Sequence, residues 1–408
     1  MLFTKEQPYC IIMYHMVYRP AKQEASMKYS DFKDCKISRL GFGTMRLPMH
    51  PDGTIDYAAG KEMVDYALAK GVTYFDTAYK YHGGEAEIFC REALTKRHPR
   101  DSFYLADKMP AWLCKTQKDA AAIFEEQLKK CGTDYFDLYL LHNVDEEVWP
   151  VIEELDIISL LKEEMSKGRI RHLGLSVHCE PELLREVLAK HESDLEFVQI
   201  QLNYMDWDYI NAKELYHICR EYNKPIIIME PLRGGMLAHP LSERSRHILD
   251  EAGKERGLSY TDMAFGFVDN LEGIMCTLSG MSALEQMKEN VEFFSGKGLD
   301  KKHLDAVKEA ADALQSDLFI PCTGCGYCFE CPQEIQIPKI FSAYNEAAAK
   351  GFHYIWGSLT GIYKELGPNG KNCIECGNCE SHCPQKIKII DLLKQIDDKY
   401  TELEKAGE

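Results

Sequence analysis

Eight of the 16 cysteines stand between Cys322 and Cys383, in two short runs. The first run, CTGCGYCFECP, carries Cys322, Cys325, Cys328 and Cys331 ahead of Pro332. The second, CIECGNCESHCP, carries Cys373, Cys376, Cys379 and Cys383 ahead of Pro384. The other eight cysteines are scattered from Cys10 to Cys276. A disulfide framework belongs to small secreted chains. Thiols crowded into two regular runs of a long chain read as metal ligands. The scattered cysteines have no ligand spacing and read as small buried apolar side chains.

Three thiolates at two-residue intervals let a tight loop wrap one corner of a cubane cluster. The second run has the C-x2-C-x2-C-x3-C-P spacing of bacterial ferredoxins, and the first is one residue shorter before its last cysteine. In two-cluster ferredoxins the fourth cysteine reaches across to the other cluster. Cys322, Cys325, Cys328 and Cys383 are then expected on one [4Fe–4S] cluster, and Cys373, Cys376, Cys379 and Cys331 on the other. Two zinc sites are the competing reading, but zinc sites favour paired C-x-x-C units split by a long loop.

Upstream of these runs the pattern alternates. Short apolar segments stand at 37–43, 72–76, 103–107, 137–142, 170–176, 197–202, 225–230 and 273–278. Amphipathic helical patterns lie near 57–70, 85–95, 117–130, 153–167, 181–190, 211–222, 259–268 and 283–294. Eight strand–helix units are the content of a (β/α)8 barrel. An open doubly wound sheet would want a G-x-G-x-x-G loop after its first strand, and that loop is absent. The expected division is an extension at 1–30, a barrel at 31–315 and a small, mainly helical two-cluster domain at 316–400. Residues 1–26 fit no element, and Met27 reads like a natural beginning.

The net charge of −17 disfavours a nucleic-acid partner. No segment approaches the ~20 apolar residues of a membrane helix, and no signal-peptide pattern is evident, so a cytoplasmic protein is expected.

Three polar residues sit where predicted strands end: Asp76 closes VTYFD, Lys108 follows FYLAD, and His142 closes DLYLLH. Catalytic groups of such barrels come from those ends. In FDTAYKYHGGEAE a tyrosine, Tyr81, follows Asp76 by five residues. With LADK, LLHNVD, GFGTMRLP and RHLGLS, this segment resembles the aldo-keto reductase family over about Ser38 to Asn290. The resemblance implies carbonyl reduction with Tyr81 as general acid, assisted by Lys108, Asp76 and His142. A free tyrosine has a pKa near ~10, and a nearby ammonium would lower it.

The resemblance also implies a nicotinamide nucleotide. Its contacts would come from Gly43, Thr44 and Met45, from Asp76, and from Ser176 and Gln199 at the carboxamide. Met229, Pro231 and Leu232 would follow, Met229 standing where the family stacks an aromatic ring. Gly280, Gln286, Glu289 and Asn290 would take the phosphate and adenine end. Gly280 and Gln286 occupy positions where a 2′-phosphate would want Arg or Lys, so NAD and NADP both stay open. Nicotinamide moves electrons in pairs and clusters move them singly. A flavin is the converter such a pairing would call for, though no specific flavin site is legible. The expected partners are a small carbonyl or alcohol and a ferredoxin-type electron carrier. The alternative is an electron carrier or docking protein with an inert barrel.

Overall fold

The computed structural model of the chain describes residues 26–209, 211–239, 242–315, 320–328, 330–349, 363 and 365–406. Eight parallel strands close into a barrel: β3 (Leu40–Gly43), β4 (Tyr74–Asp76), β5 (Tyr104–Met109), β6 (Phe136–Val144), β7 (Ile170–Val177), β8 (Phe197–Gln201), β9 (Ile226–Met229) and β10 (Ile274–Gly280). β10 pairs with β3 to complete the ring. All eight predicted strands are present. The helices alternate with them as the periodicity predicts, and local chemistry starts several. Thr116 and Asp119 form a capping box for Gln117–Cys131, and Ser259 and Asp262 form one for Tyr260–Asp269.

Inside the barrel Tyr74, Ala106, Leu138, Leu140, Phe197, Ile227 and Cys276 pack into one buried cluster. Glycine makes room for this layer: a Cβ on Gly174 would lie 2.6 Å from the Phe197 ring. The apolar run at 37–43 divides in two. Cys35–Ser38 is β2 of an antiparallel hairpin with β1 (Tyr29–Phe32), and only Leu40–Gly43 enters the barrel. Phe32, Cys35 and Ile37 of the hairpin join the interior cluster, so the hairpin plugs one end. Met27 is buried in the barrel's outer core, and Lys28 pairs with Asp269. Residues 27–30, expected in the extension, therefore belong to this floor. Residues 1–25 lie outside the described residues.

Cys35, Cys90, Cys114, Cys131, Cys179, Cys219 and Cys276 are free and buried, as expected; Cys10 lies outside the described residues. Helix Lys301–Gln315 packs on helix Glu243–Gly253, an element the periodicity did not reveal. A separate apolar cluster follows, built from Ile320, Ile337, Ile340, Phe341, Ile389, Leu393 and Ile396, with five of the clustered cysteines packed against it. Its longer described helices are Ile337–Ala349 and Ile389–Ala406. Among the described residues no helix is long and apolar enough to cross a membrane.

Candidate active site

Asp76, Lys108 and His142 arrive on β4, β5 and β6, adjacent parallel strands, each standing two residues beyond the register partner of the one before. Tyr81 comes from the turn just after β4. Lys108 Nζ lies 2.5 Å from Asp76 Oδ1 and donates to the Thr77 carbonyl at 2.8 Å. Its ammonium stands 5.1 Å from the centre of the Tyr81 ring. The Tyr81 and His142 rings meet edge to face at 6.0 Å, and Trp112 leans on His142 at 5.1 Å. The four predicted residues form one group.

The electrostatics differ from expectation at Tyr81. Burial pushes its phenol pKa well up, and Asp76 and Glu230 push in the same direction, with Arg46 opposing. The Lys108 ammonium stands by the ring and gives its hydrogen bonds to Asp76 and Thr77. Tyr81 is thus held as a neutral proton donor. Burial, then Lys108 and His178, hold His142 well below its usual value, so it is a neutral imidazole. Its Nδ1 is buried without a partner. Burial raises the Asp76 carboxyl, with Lys108 pulling the other way.

One cleft joins this group to the predicted nucleotide residues. Tyr81, Asp76 and His142 line it together with Gly43, Met45, Ser176, Gln199, Met229, Pro231, Leu232, Gly280, Gln286, Glu289 and Asn290. The cleft encloses about 1330 Å³ of empty space, part of it open to solvent. Thr44 is the exception: its hydroxyl turns away from the cleft to the Asp76 carbonyl, 3.0 Å distant. Lys108 is fully buried behind the wall.

Two buried acceptors, Gln199 Oε1 and Asp76 Oδ2, have no partner. A carboxamide or hydroxyl donor would satisfy them, so these residues fit a nicotinamide and a substrate oxygen. Gln199 Nε2 approaches Ser176 Oγ at 3.4 Å and Met229 Sδ at 3.5 Å. At the other end Asn290 donates to Ser279 at 3.1 Å, and Gln286 accepts from the Ser282 backbone at 2.9 Å.

The cysteine-rich domain sits on the same mouth. Thr323, Cys325, Tyr327, Pro384 and Gln385 line the cleft opposite Tyr81. Gln201 and Gln385 exchange two amide hydrogen bonds of 2.8 and 2.7 Å. Arg46 bonds Glu230 at 2.9 Å and the Thr323 carbonyl at 2.8 Å. Lys386 reaches Glu146 at 2.7 Å. Gly234, with φ +69°, passes so close to Thr323 that an added Cβ would lie 2.1 Å from its carbonyl oxygen. Behind this loop Arg233, fully buried, pairs with Asp206 at 2.8 Å.

The eight clustered cysteines fall into two groups. Burial pushes Cys322 up to about 11 and Cys328 to about 12, and the neighbouring thiols of Cys325 and Cys383 add to both. Backbone N–H groups of Ile387, Gln385 and Lys386 favour the thiolate of Cys383, and that of Tyr327 favours Cys325. Cys331, Cys373, Cys376 and Cys379 line a second hollow, walled by Ile335, Ile337 and Ile390. Four thiols around the second hollow, and N–H donors aimed at sulfur in the first group, fit four-cysteine iron–sulfur clusters. Cys383 thus neighbours the first run and Cys331 the second.

Residues 39–312 match the family model of the aldo/keto reductases. The chain belongs to the aldo-keto reductase family. Residues 321–388 match the model of a 4Fe-4S dicluster domain. Among curated relatives, a probable aldo-keto reductase of Glycine max is 29% identical over 208 residues, covering 49% of this chain and 57% of its own. The NADH-specific methylglyoxal reductase of Escherichia coli is 25% identical over 330 residues, covering 69% of this chain and 97% of its own. The solved aldo-keto reductase of Bacillus halodurans superposes with TM-score 0.58 at 23% identity, covering 70% of this chain and 96% of its own, which speaks to the fold alone. Together these findings support an iron–sulfur oxidoreductase over an inert barrel.

Sequence reasoning missed Arg46, Gln201, Tyr327 and Gln385. Nothing in their spacing marks them, because each gains its place only when the second domain docks.

Proposed function

We propose that this protein interconverts a small carbonyl compound and its alcohol in the barrel mouth, with a nicotinamide nucleotide bound along the cleft. The observation that carries the reading is the single cavity joining Tyr81, His142, Gln199 and Cys325. Tyr81 donates the proton that a reduced carbonyl oxygen needs. His142, neutral, hydrogen-bonds and orients that oxygen. Lys108 and Asp76 position Tyr81 and supply a compensated charge pair beneath it. A bound nicotinamide would supply the hydride; clusters held by the cysteine-rich domain would move electrons one at a time, and exchanging them with the nicotinamide would call for a two-to-one converter such as a flavin.

The nucleotide contacts are proposed at Gly43, Met45, Ser176, Gln199, Met229, Gly280, Gln286, Glu289 and Asn290. Among the described residues lining the cleft, the one guanidinium is Arg46, and Glu230 and Thr323 already engage it. This favours NADH over NADPH, whose 2′-phosphate wants an arginine or lysine. The cluster ligands are proposed as Cys322, Cys325, Cys328 and Cys383 for the inner cluster and Cys331, Cys373, Cys376 and Cys379 for the outer one. Cys376 is exposed and Ile374 is 59% exposed, which makes this end the docking point for a ferredoxin-type carrier. Free buried thiols suit a reducing, cytoplasmic setting.

The test is Tyr81→Phe, with NADH and methylglyoxal as the first probe. We expect kcat/KM to fall by at least about 100-fold, with iron content and NADH affinity unchanged. Retained activity would overturn the assignment.

A further inference from the structure

We infer that Tyr327, carried by the cysteine-rich domain, is a wall of the substrate pocket and limits the size of carbonyl the barrel accepts. The inference deepens the function proposed above and rests on it. In the sequence Tyr327 stands between Cys325 and Cys328. In the structure it lines the barrel cleft together with Tyr81 and His142. Glu230 and Cys325 line the same cleft beside it, so the ring shares one wall with the catalytic group.

The loop holding this ring is fixed to the barrel on both sides. Arg46 donates to Thr323, four residues before Tyr327, and Gly234 packs directly against the same carbonyl. From the second cysteine run Gln385 locks onto Gln201. The ring is therefore a rigid wall, and a pocket bounded by Tyr81, His142 and Tyr327 suits a small carbonyl better than an aromatic one. One domain brings the proton donor and the other closes the pocket above it.

The experiment uses the anaerobic, cluster-loaded full chain and the variants Tyr327→Ala, Tyr327→Trp and Tyr327→Phe. The probes are methylglyoxal and 4-nitrobenzaldehyde with NADH. Tyr327→Ala is expected to raise the kcat/KM ratio of the aromatic over the small aldehyde about tenfold, mainly through KM. Tyr327→Trp is expected to lower the ratio, and Tyr327→Phe to leave it nearly unchanged. NADH affinity should stay within about twofold in all three. An unchanged ratio in both Ala and Trp variants at full iron content overturns the inference. If Tyr327→Ala loses iron, the comparison of Trp with Phe decides. If the wild type reduces neither aldehyde, the carbonyl-reductase reading fails separately. Calorimetric binding of 4-nitrobenzyl alcohol in the presence of NAD+ then decides about Tyr327. A roughly tenfold change in Kd between wild type and Ala supports the wall; an equal Kd, or no heat with either, overturns it.

Discussion

Tyr81 and His142 take complementary protonation behaviour from the same burial. Loss of water raises an acid that ionises to an anion and lowers a base that ionises to a cation. The phenol therefore stays protonated until above its ordinary pKa of 10.0, and the imidazole stays neutral until below its ordinary 6.5. The proton donor is lost only as pH rises through the raised Tyr81 value. The neutral imidazole is lost only as pH falls through the lowered His142 value. We expect kcat/KM for carbonyl reduction to be level from about pH 7 to about pH 9. A pH–rate profile with a basic limb centred in that window would contradict the assignment of Tyr81 as a neutral donor. The four residues were legible because strand-end polar groups of the right types stood in order. The direction of the Tyr81 shift was not legible, because it depends on how far the fold removes the phenol from water and sets Asp76 and Glu230 near it.

The barrel strands were readable because each is a short apolar run bounded by polar turns, and burial on both faces of a parallel sheet demands such runs. The segment at 37–43 was misread as one strand. Its apolar residues continue across Arg39, yet the chain leaves an antiparallel hairpin there and enters the barrel. Helix Glu243–Gly253 was missed because it is largely polar, with only Leu249 and Ala252 fully buried in the cluster it shares with Lys301–Gln315. The loop at Arg233–Ala238 shows what no pattern reveals: its glycines serve a contact with a distant segment. Gly234 needs both its left-handed backbone and its missing Cβ. Gly234→Ala should cost more than about 1 kcal/mol through the backbone term alone, with the Thr323 contact adding to it. Amide exchange should quicken in residues 320–328 while β3–β10 keep their protection. Unchanged exchange in that segment would show that the loop does not hold the domain in place.

At the scale of the whole molecule, both domains were legible and their arrangement was not. Cysteine spacing gave the cluster domain, and strand–helix alternation gave the barrel. Neither pattern says that Cys325 and Tyr327 face Tyr81, since that depends on pairings such as Gln201 with Gln385 and Arg46 with Thr323. The docking puts Cys325 on the lining of the cleft and leaves Cys373 and Cys376 beside the exposed Ile374, so on the proposed assignment the inner cluster borders the cleft and the outer one does not. A ligand in the cleft should therefore be sensed by one cluster and not by the other. The direct test is an electron paramagnetic resonance spectrum of the dithionite-reduced protein, carrying about eight irons per chain, recorded with and without saturating NADH. The account predicts that NADH alters the signal of one cluster and leaves the second unchanged. Two signals that both ignore bound NADH would contradict it.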